Sequence, residues 1–294
     1  APPDMRPAMM GVLLDESADA LDVTATIVDL AVRRHLRIDE KPRKWFLSRH
    51  DWSLTRLDPA PADALADWEQ MLLDALFDDG PIVALSDLKA HFFTDLKRIQ
   101  DKLYDEVVAQ RWFTRRPDQV RGRWFTVGVV VTGVGGFVTY QLAQRTHLGL
   151  VGVPLVVCGL LLLAVHRRMP SHTAAGSAAL ARALGFRRYL HTAEAGQLRF
   201  EENAGIFARY LPYAVVLGET KRWARAFADL GAGREQDLYF YGGSGGWNAG
   251  HFADSMSDFS VATSGTIASS PSSSGLGGGG GAGGGGGGGG GGSW

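Results

Sequence analysis

The sequence predicts a mainly α membrane protein. A winged-helix-like α+β cytoplasmic domain, a two-helix transmembrane hairpin, a small helical domain and a disordered Gly-rich tail follow one another. Three observations carry this. Residues 124–140 and 148–165 are apolar and hold no charged side chain, and only 141–147 separate them. At ~1.5 Å per residue, segments of this length span roughly 25–27 Å, close to the hydrocarbon core of a bilayer. Basic residues crowd the outer ends of the two stretches, and the flanking regions show helical apolar spacing.

The second span is rich in Leu and Val, with Pro154 in its first third, where a neighbouring helix or water can take the freed carbonyl. The first span holds more Gly and Thr. Gly128, Thr132 and Gly136 recur every four residues, a small-residue face that lets another helix approach closely, and the second span is its expected partner. An oligomer seam is the alternative use of that face. Trp124 and Tyr140 mark the two ends as interfacial aromatics.

Orientation follows from flanking charge. Arg115, Arg116, Arg121 and Arg123 precede the first span, and Arg167 and Arg168 follow the second, against Arg145 alone in the connection. This places both soluble parts in the cytoplasm of an inner (plasma) membrane, multi-pass protein. Residues 1–120 carry 16 basic and 22 acidic side chains, whereas 121–168 carry 5 basic and no acidic ones. The basic block is therefore a membrane flank and not a nucleic-acid patch. Cys158, inside the second span, is the one cysteine, so no intramolecular disulfide and no cysteine zinc cluster can form. The chain opens without Met or a signal peptide and reads as a fragment.

In chain order, 1–7 form a Pro-rich linker and 8–118 the winged-helix-like domain. Residues 7–14 make a short helix, and Asp22 is the expected cap of the next, on which Val23, Ile27, Leu30 and Ala31 keep helical spacing. Residues 36–38 and 52–54 alternate around a Lys-Pro-Arg-Lys turn as a β-hairpin. A helix covers 63–77, and Ser86 caps a further segment striped by Leu88, Phe92, Leu96, Ile99, Leu103 and Val107. Residues 83–85 and 111–113 read as short strands. The cations Lys89, Lys97, Arg98 and Lys102 alternate with Asp87, Asp95, Asp101, Asp105 and Glu106. That is a solvated face and not a DNA surface.

The helical cytoplasmic domain covers 171–240. A helix over 174–184 ends at Gly185. Pro212 suits a first helical turn, and Thr220 caps a helix carrying Trp223, Phe227 and Leu230. Arg187, Arg188, Lys221 and Arg222 read as solvated surface, with lipid headgroups the alternative. From 241 to 294, Ser and Gly dominate and the stretch is assigned to a disordered tail.

Catalytic signatures are absent from the sequence. Gly133–Gly136 lack the spacing and Lys of a phosphate loop, the eight histidines form no HExxH pair, and there is no Gly-x-Ser-x-Gly elbow. The expectation is a non-enzymatic scaffold or interaction module without cofactor or metal. Its partners would be the lipid bilayer and a protein or a second copy of itself. A membrane-tethered regulator using the winged-helix-like unit on nucleic acid and a transport accessory subunit are the alternatives.

The run from Asp22 to Ile38, the Gly-Phe-Arg-Arg-Tyr-Leu at 185–190, the Tyr-Leu-Pro-Tyr-Ala-Val-Val-Leu-Gly at 210–218 with Trp223, and the Gly-rich end closing in Ser293-Trp294 resemble a family of bacterial predicted membrane proteins. That family is domain of unknown function 2207, with a YciQ-like C-terminal region. The resemblance spans nearly the whole chain. It implies a signal peptide, an extracellular β-rich domain and an earlier span ahead of this region, and it leaves activity open.

Overall fold

The computed structural model describes residues 5–41, 51–57, 64–90, 92–145, 149–192, 203–228, 240–242 and 249–269. Its centre is a helix with no exposed face. In α2 (Ala20–Val32) every residue from Asp22 to Ala31 is buried, Asp22, Thr24, Thr26 and Asp29 included, so the helix is surrounded by the rest of the body. Its threonines turn inward on their own backbone: Thr24 donates to the Ala20 carbonyl at 2.8 Å and Thr26 to that of Asp22 at 2.9 Å. The cap lies one residue before the helix. Asp19 Oδ1 accepts from the amides of Leu21 (2.8 Å) and Asp22 (3.2 Å). Asp22, the cap expected from sequence, instead reaches back to accept from the Asp19 amide at 2.9 Å, completing a reciprocal capping box.

Around α2 pack α1 (Pro7–Asp15), α4 (Phe92–Ala109), α8 (Asn203–Val216) and α10 (Ala249–Ile267). A small sheet flanks them. Strands β1 (Leu36–Glu40) and β2 (Trp52–Arg56) pair antiparallel with Ile38 opposite Leu54. Strand β3 (Ile82–Ala84), which follows α3 (Asp67–Leu76), adds to β2, and β4 (Tyr241–Gly242) adds parallel to β1, giving the order β3-β2-β1-β4. Leu36, Ile38, Trp52 and Leu54 point to the core, as period-two alternation requires. Residues 42–50, which hold the expected hairpin turn, lie outside the described residues.

Four expectations are corrected. Residues 8–118 and 171–240 do not build separate cores. One apolar cluster runs from Met5 to Ile267, because α2 needs cover on sides that the N-terminal half alone does not supply. The stretch after 241 is not all tail: α10 buries Phe252, Met256, Phe259 and Ile267, while 270–294 lie outside the described residues. Gly185 does not end a helix, since α7 runs through it from Ala174 to Thr192 and meets open space there. Pro212 sits inside α8 and not in its first turn, because the helix already starts at Asn203. α9 (Thr220–Ala228) begins at Thr220, and its Trp223 indole donates to the Phe207 carbonyl at 3.3 Å.

Two further helices leave this body together. α5 (Pro117–Arg145) and α6 (Val153–Val165) pack against each other, with a 3₁₀ turn (Gly149–Gly152) leading into α6 and another (His166–Arg168) closing it. Where they meet the body, Phe113 and His172 form an antiparallel bridge and their rings lie 4.7 Å apart. The Thr173 amide donates to the Trp112 carbonyl at 3.0 Å, and Gly176 packs on that same carbonyl. The entry to α5 and the exit from α6 are thereby held at one place.

Candidate functional site

α5 carries no charged residue between Arg123 and Arg145 and is long and apolar enough to cross a membrane; it is the one described helix that is. α6 is 13 residues long. Their seam is made of small residues on both sides. A Cβ on Gly128 would meet Leu163 Cδ2 at 2.8 Å, and one on Gly135 would meet the Val156 backbone nitrogen at 2.7 Å. Gly159 is pressed on Thr132, and Gly152 on Thr139. The two threonines need no partner across the seam, because their hydroxyls donate to the carbonyls of Gly128 (2.8 Å) and Gly135 (2.7 Å) on their own helix.

Of the three packing positions expected from sequence, Gly128 is buried against α6 and Thr132 faces Gly159. Gly136 does not belong to the seam: it is exposed, with nothing within 4 Å of its missing Cβ. Gly135 takes the place assigned to it. Outward, the pair shows Val130, Val134, Phe137, Tyr140, Leu160 and Leu161, each more than half exposed. Trp124 is 38% exposed, and the lone Cys158 is exposed on the apolar surface of α6.

The arginines at the base divide into two kinds. Arg116 is engaged by Asp101, Asp105 (3.3 Å) and Asp118 (3.0 Å) and lies over the Tyr104 ring, and the carboxylates of Asp118 and Asp101 push its pKa up. Arg121 donates to the Asp15 carbonyl (3.0 Å) and to Glu16 Oε2 (3.3 Å). Arg115, Arg123, Arg167 and Arg168 are exposed and make no ion pair among the described residues. The second kind alone is available to anything outside the chain.

Beside this base, a cleft of about 390 Å³ opens between the α1–α2 junction and α7. Asp15, Asp19, Asp22 and Arg187 line it, with Leu180 and Leu184 on the far wall. Burial pushes the Asp15 carboxyl up to about 6, partly offset by its hydrogen bond from the Ser17 amide and by Arg121. Burial and the nearby Asp19 push Asp22 well above the usual carboxylate range. Gly11 is required here, since a Cβ would collide with Asp22 Oδ1. Deeper in the body, Arg33 bridges Asp29 (3.1 Å) and Glu69 (2.8 Å), and burial still holds Asp29 up to about 6. Among the described residues, no group of three or more His, Cys, Asp or Glu is placed to hold a metal ion.

Sequence reasoning missed Gly135, Gly152 and Gly159, although Gly152 and Gly159 stand seven apart within the second span. It also missed the cleft, whose walls come from segments about 160 residues apart and leave no local signal.

A family model described as "Predicted membrane protein (DUF2207) C-terminal domain" matches residues 1–227, ending inside α9 and short of β4 and α10. No curated protein and no solved structure matches.

Proposed function

We propose that this chain, which belongs to the DUF2207 family of predicted membrane proteins, crosses the inner membrane twice through α5 and α6 and holds its remaining mass in the cytoplasm as one protein-binding module. The observation that carries the reading is the helix pair itself. Gly128, Gly135, Gly152 and Gly159 are used between the helices, large apolar side chains face outward, and the two ends of the pair are tied at one place by the Phe113–His172 bridge. An exposed apolar surface of this extent is at home in lipid. The common base supports a reading with both ends on one side, and the arginines gathered there favour the cytoplasmic side.

The binding role rests on a sequence without a phosphate loop, nucleophile elbow or zinc-binding pair. The succession of α2 and the β1–β2 hairpin supports a winged-helix-like origin for the N-terminal part. The nucleic-acid alternative is the weaker reading. α2 is buried and unavailable to a groove, and on α4 Arg98 is paired with Asp95 at 3.1 Å while Asp101 and Asp105 face Arg116.

The test uses the natural cysteine. In sealed inside-out vesicles, Cys158 should resist a membrane-impermeant maleimide and react once detergent is added. A cysteine at Arg188, in a Cys158→Ser background, should react without detergent. Ready labelling of Cys158 in intact vesicles would refute the spanning pair, and protection of position 188 in inside-out vesicles would refute the cytoplasmic placement.

A further inference from the structure

The cleft between the α1–α2 junction and α7 contains a carboxyl that the fold leaves half-used. Asp22 is 2% exposed, and its Oδ2 accepts the Asp19 amide at 2.9 Å. Its Oδ1 accepts no hydrogen bond among the described residues. That oxygen lies where a Cβ of Gly11 would stand, and the same point is 2.7 Å from Val216 Cγ2. Gly11, Asp22 and Val216 all line the cleft, so the spare oxygen marks its inner end. A buried carboxyl oxygen without a donor costs free energy until a donor meets it.

The entrance repeats the pattern. Asp15 and Asp19 are exposed, and in each Oδ1 accepts main-chain amides, that of Ser17 on Asp15 at 2.9 Å and those of Leu21 and Asp22 on Asp19. Their second oxygens accept nothing among the described residues. Arg121 is held by the Asp15 carbonyl and Glu16. Arg187 is the one cationic side chain that lines the cleft, and it is exposed and in no ion pair among the described residues. Three carboxyls against one guanidinium favour a positively charged occupant.

The walls decide what kind of cation fits. Among the described residues the carboxyls are not placed to hold a metal ion. Leu180, Leu184, Val216 and Leu217 make the remaining wall apolar, and about 390 Å³ accommodates an organic molecule. A primary ammonium carries three N–H donors on a compact head, and an aliphatic body covers the leucines.

We propose that this cleft binds a small aliphatic primary amine. Its ammonium group is held by Asp22, with Asp15 and Asp19 at the entrance, and its hydrocarbon body lies on Leu180, Leu184 and Val216. The site is built from α1, α2, α7 and α8 and does not require α5 and α6 to lie in a bilayer.

The full chain in a maltoside detergent at pH 8 is titrated with isopentylamine by calorimetry, against a protein-free detergent blank. Saturable binding is expected. Isopentanol, with the same body and no charge, is expected to bind roughly tenfold more weakly or worse. Asp22→Asn keeps an acceptor for the Asp19 amide and should lower the amine affinity roughly tenfold or more while leaving that of the alcohol unchanged. Leu184→Asn, at an exposed wall position, should weaken both probes, and Arg182→Gln, on α7 but outside the cleft, should change neither. No saturable amine binding by the parent, equal affinity for amine and alcohol, or undiminished amine binding by Asp22→Asn overturns the site.

Discussion

Asp22 is where burial and hydrogen bonding compete on one side chain. One oxygen accepts the Asp19 amide, and the whole carboxyl is 2% exposed beside Gly11. The folded carboxyl holds its proton more tightly than the unfolded one, whose ordinary value is 3.8. The folded form is therefore favoured by protonation, and stability falls as pH rises from about 4 through the folded pKa. Asp15, pushed up to about 6, acts in the same direction. Asp22→Asn keeps an acceptor for the Asp19 amide and removes the ionisation. It should unfold at higher temperature than the parent at pH 7.5, and the difference should shrink at pH 5. Asp22→Ala also removes the ionisation but loses the cap contact, about 1 kcal/mol, and should unfold below Asp22→Asn at both pH values. Thermal unfolding of the detergent-solubilised protein at the two pH values checks both. The sequence shows acids at 15, 19 and 22 but not which one caps. Asp19 and Asp22 each precede apolar helical residues, and only the reciprocal geometry decides between them.

The helices α5 and α6 show what spacing does and does not reveal about an element. One step of four residues links Gly128 to Thr132, and a second step of four leads to Gly136. An α-helix turns once per 3.6 residues, so contacts along one seam alternate steps of four and three. The seam therefore runs Gly128, Thr132, Gly135, Thr139, with Gly152 and Gly159 seven apart across from it. Gly159→Leu should force the helices apart and lower the unfolding temperature, at a cost of about 1–3 kcal/mol or more, because its Cβ would strike Thr132. Gly136→Leu adds apolar surface on the outer face and should leave that temperature nearly unchanged. Equal losses for the two variants would mean that the seam is misplaced.

Across the whole molecule, α2 is covered by helices from both ends of the chain. Thr24 and Ser264 hydroxyls meet at 3.0 Å, and Trp52 packs edge-on against Phe259 at 5.7 Å. Tyr241 donates to Glu40 at 2.9 Å with Ser255 beside it, so β4 and α10 are fastened to β1. Most individual helices are legible because periodicity is local. In α10 the apolar positions Phe252, Met256, Phe259, Val261 and Ile267 are sparse among Ser and Gly and do not mark a helix by themselves, and no local pattern states which helix covers which. Phe259→Ala should cost about 3–5 kcal/mol. The change would read out as a lower midpoint in denaturant and earlier red-shifting of tryptophan fluorescence, since the Trp52 ring loses its cover. An unaltered midpoint would mean that α10 is dispensable to the core.

The Phe113–His172 bridge has a consequence for biogenesis. During synthesis α2 emerges early, with Val23, Ile27, Val28, Leu30 and Ala31 all needing cover, while α8 and α10 are still unmade. On the proposed reading, its closure must wait for α5 and α6 to enter the membrane and for more than a hundred further residues to be translated. Inserting α5 and α6 as a hairpin returns the chain to where it left, so the bridge acts as a short circuit across that interval. The entropy of closing so long a loop is then met at the bilayer before the core is sealed. On that reading, membrane insertion is a step of folding in this protein, ahead of the assembly of the body around α2.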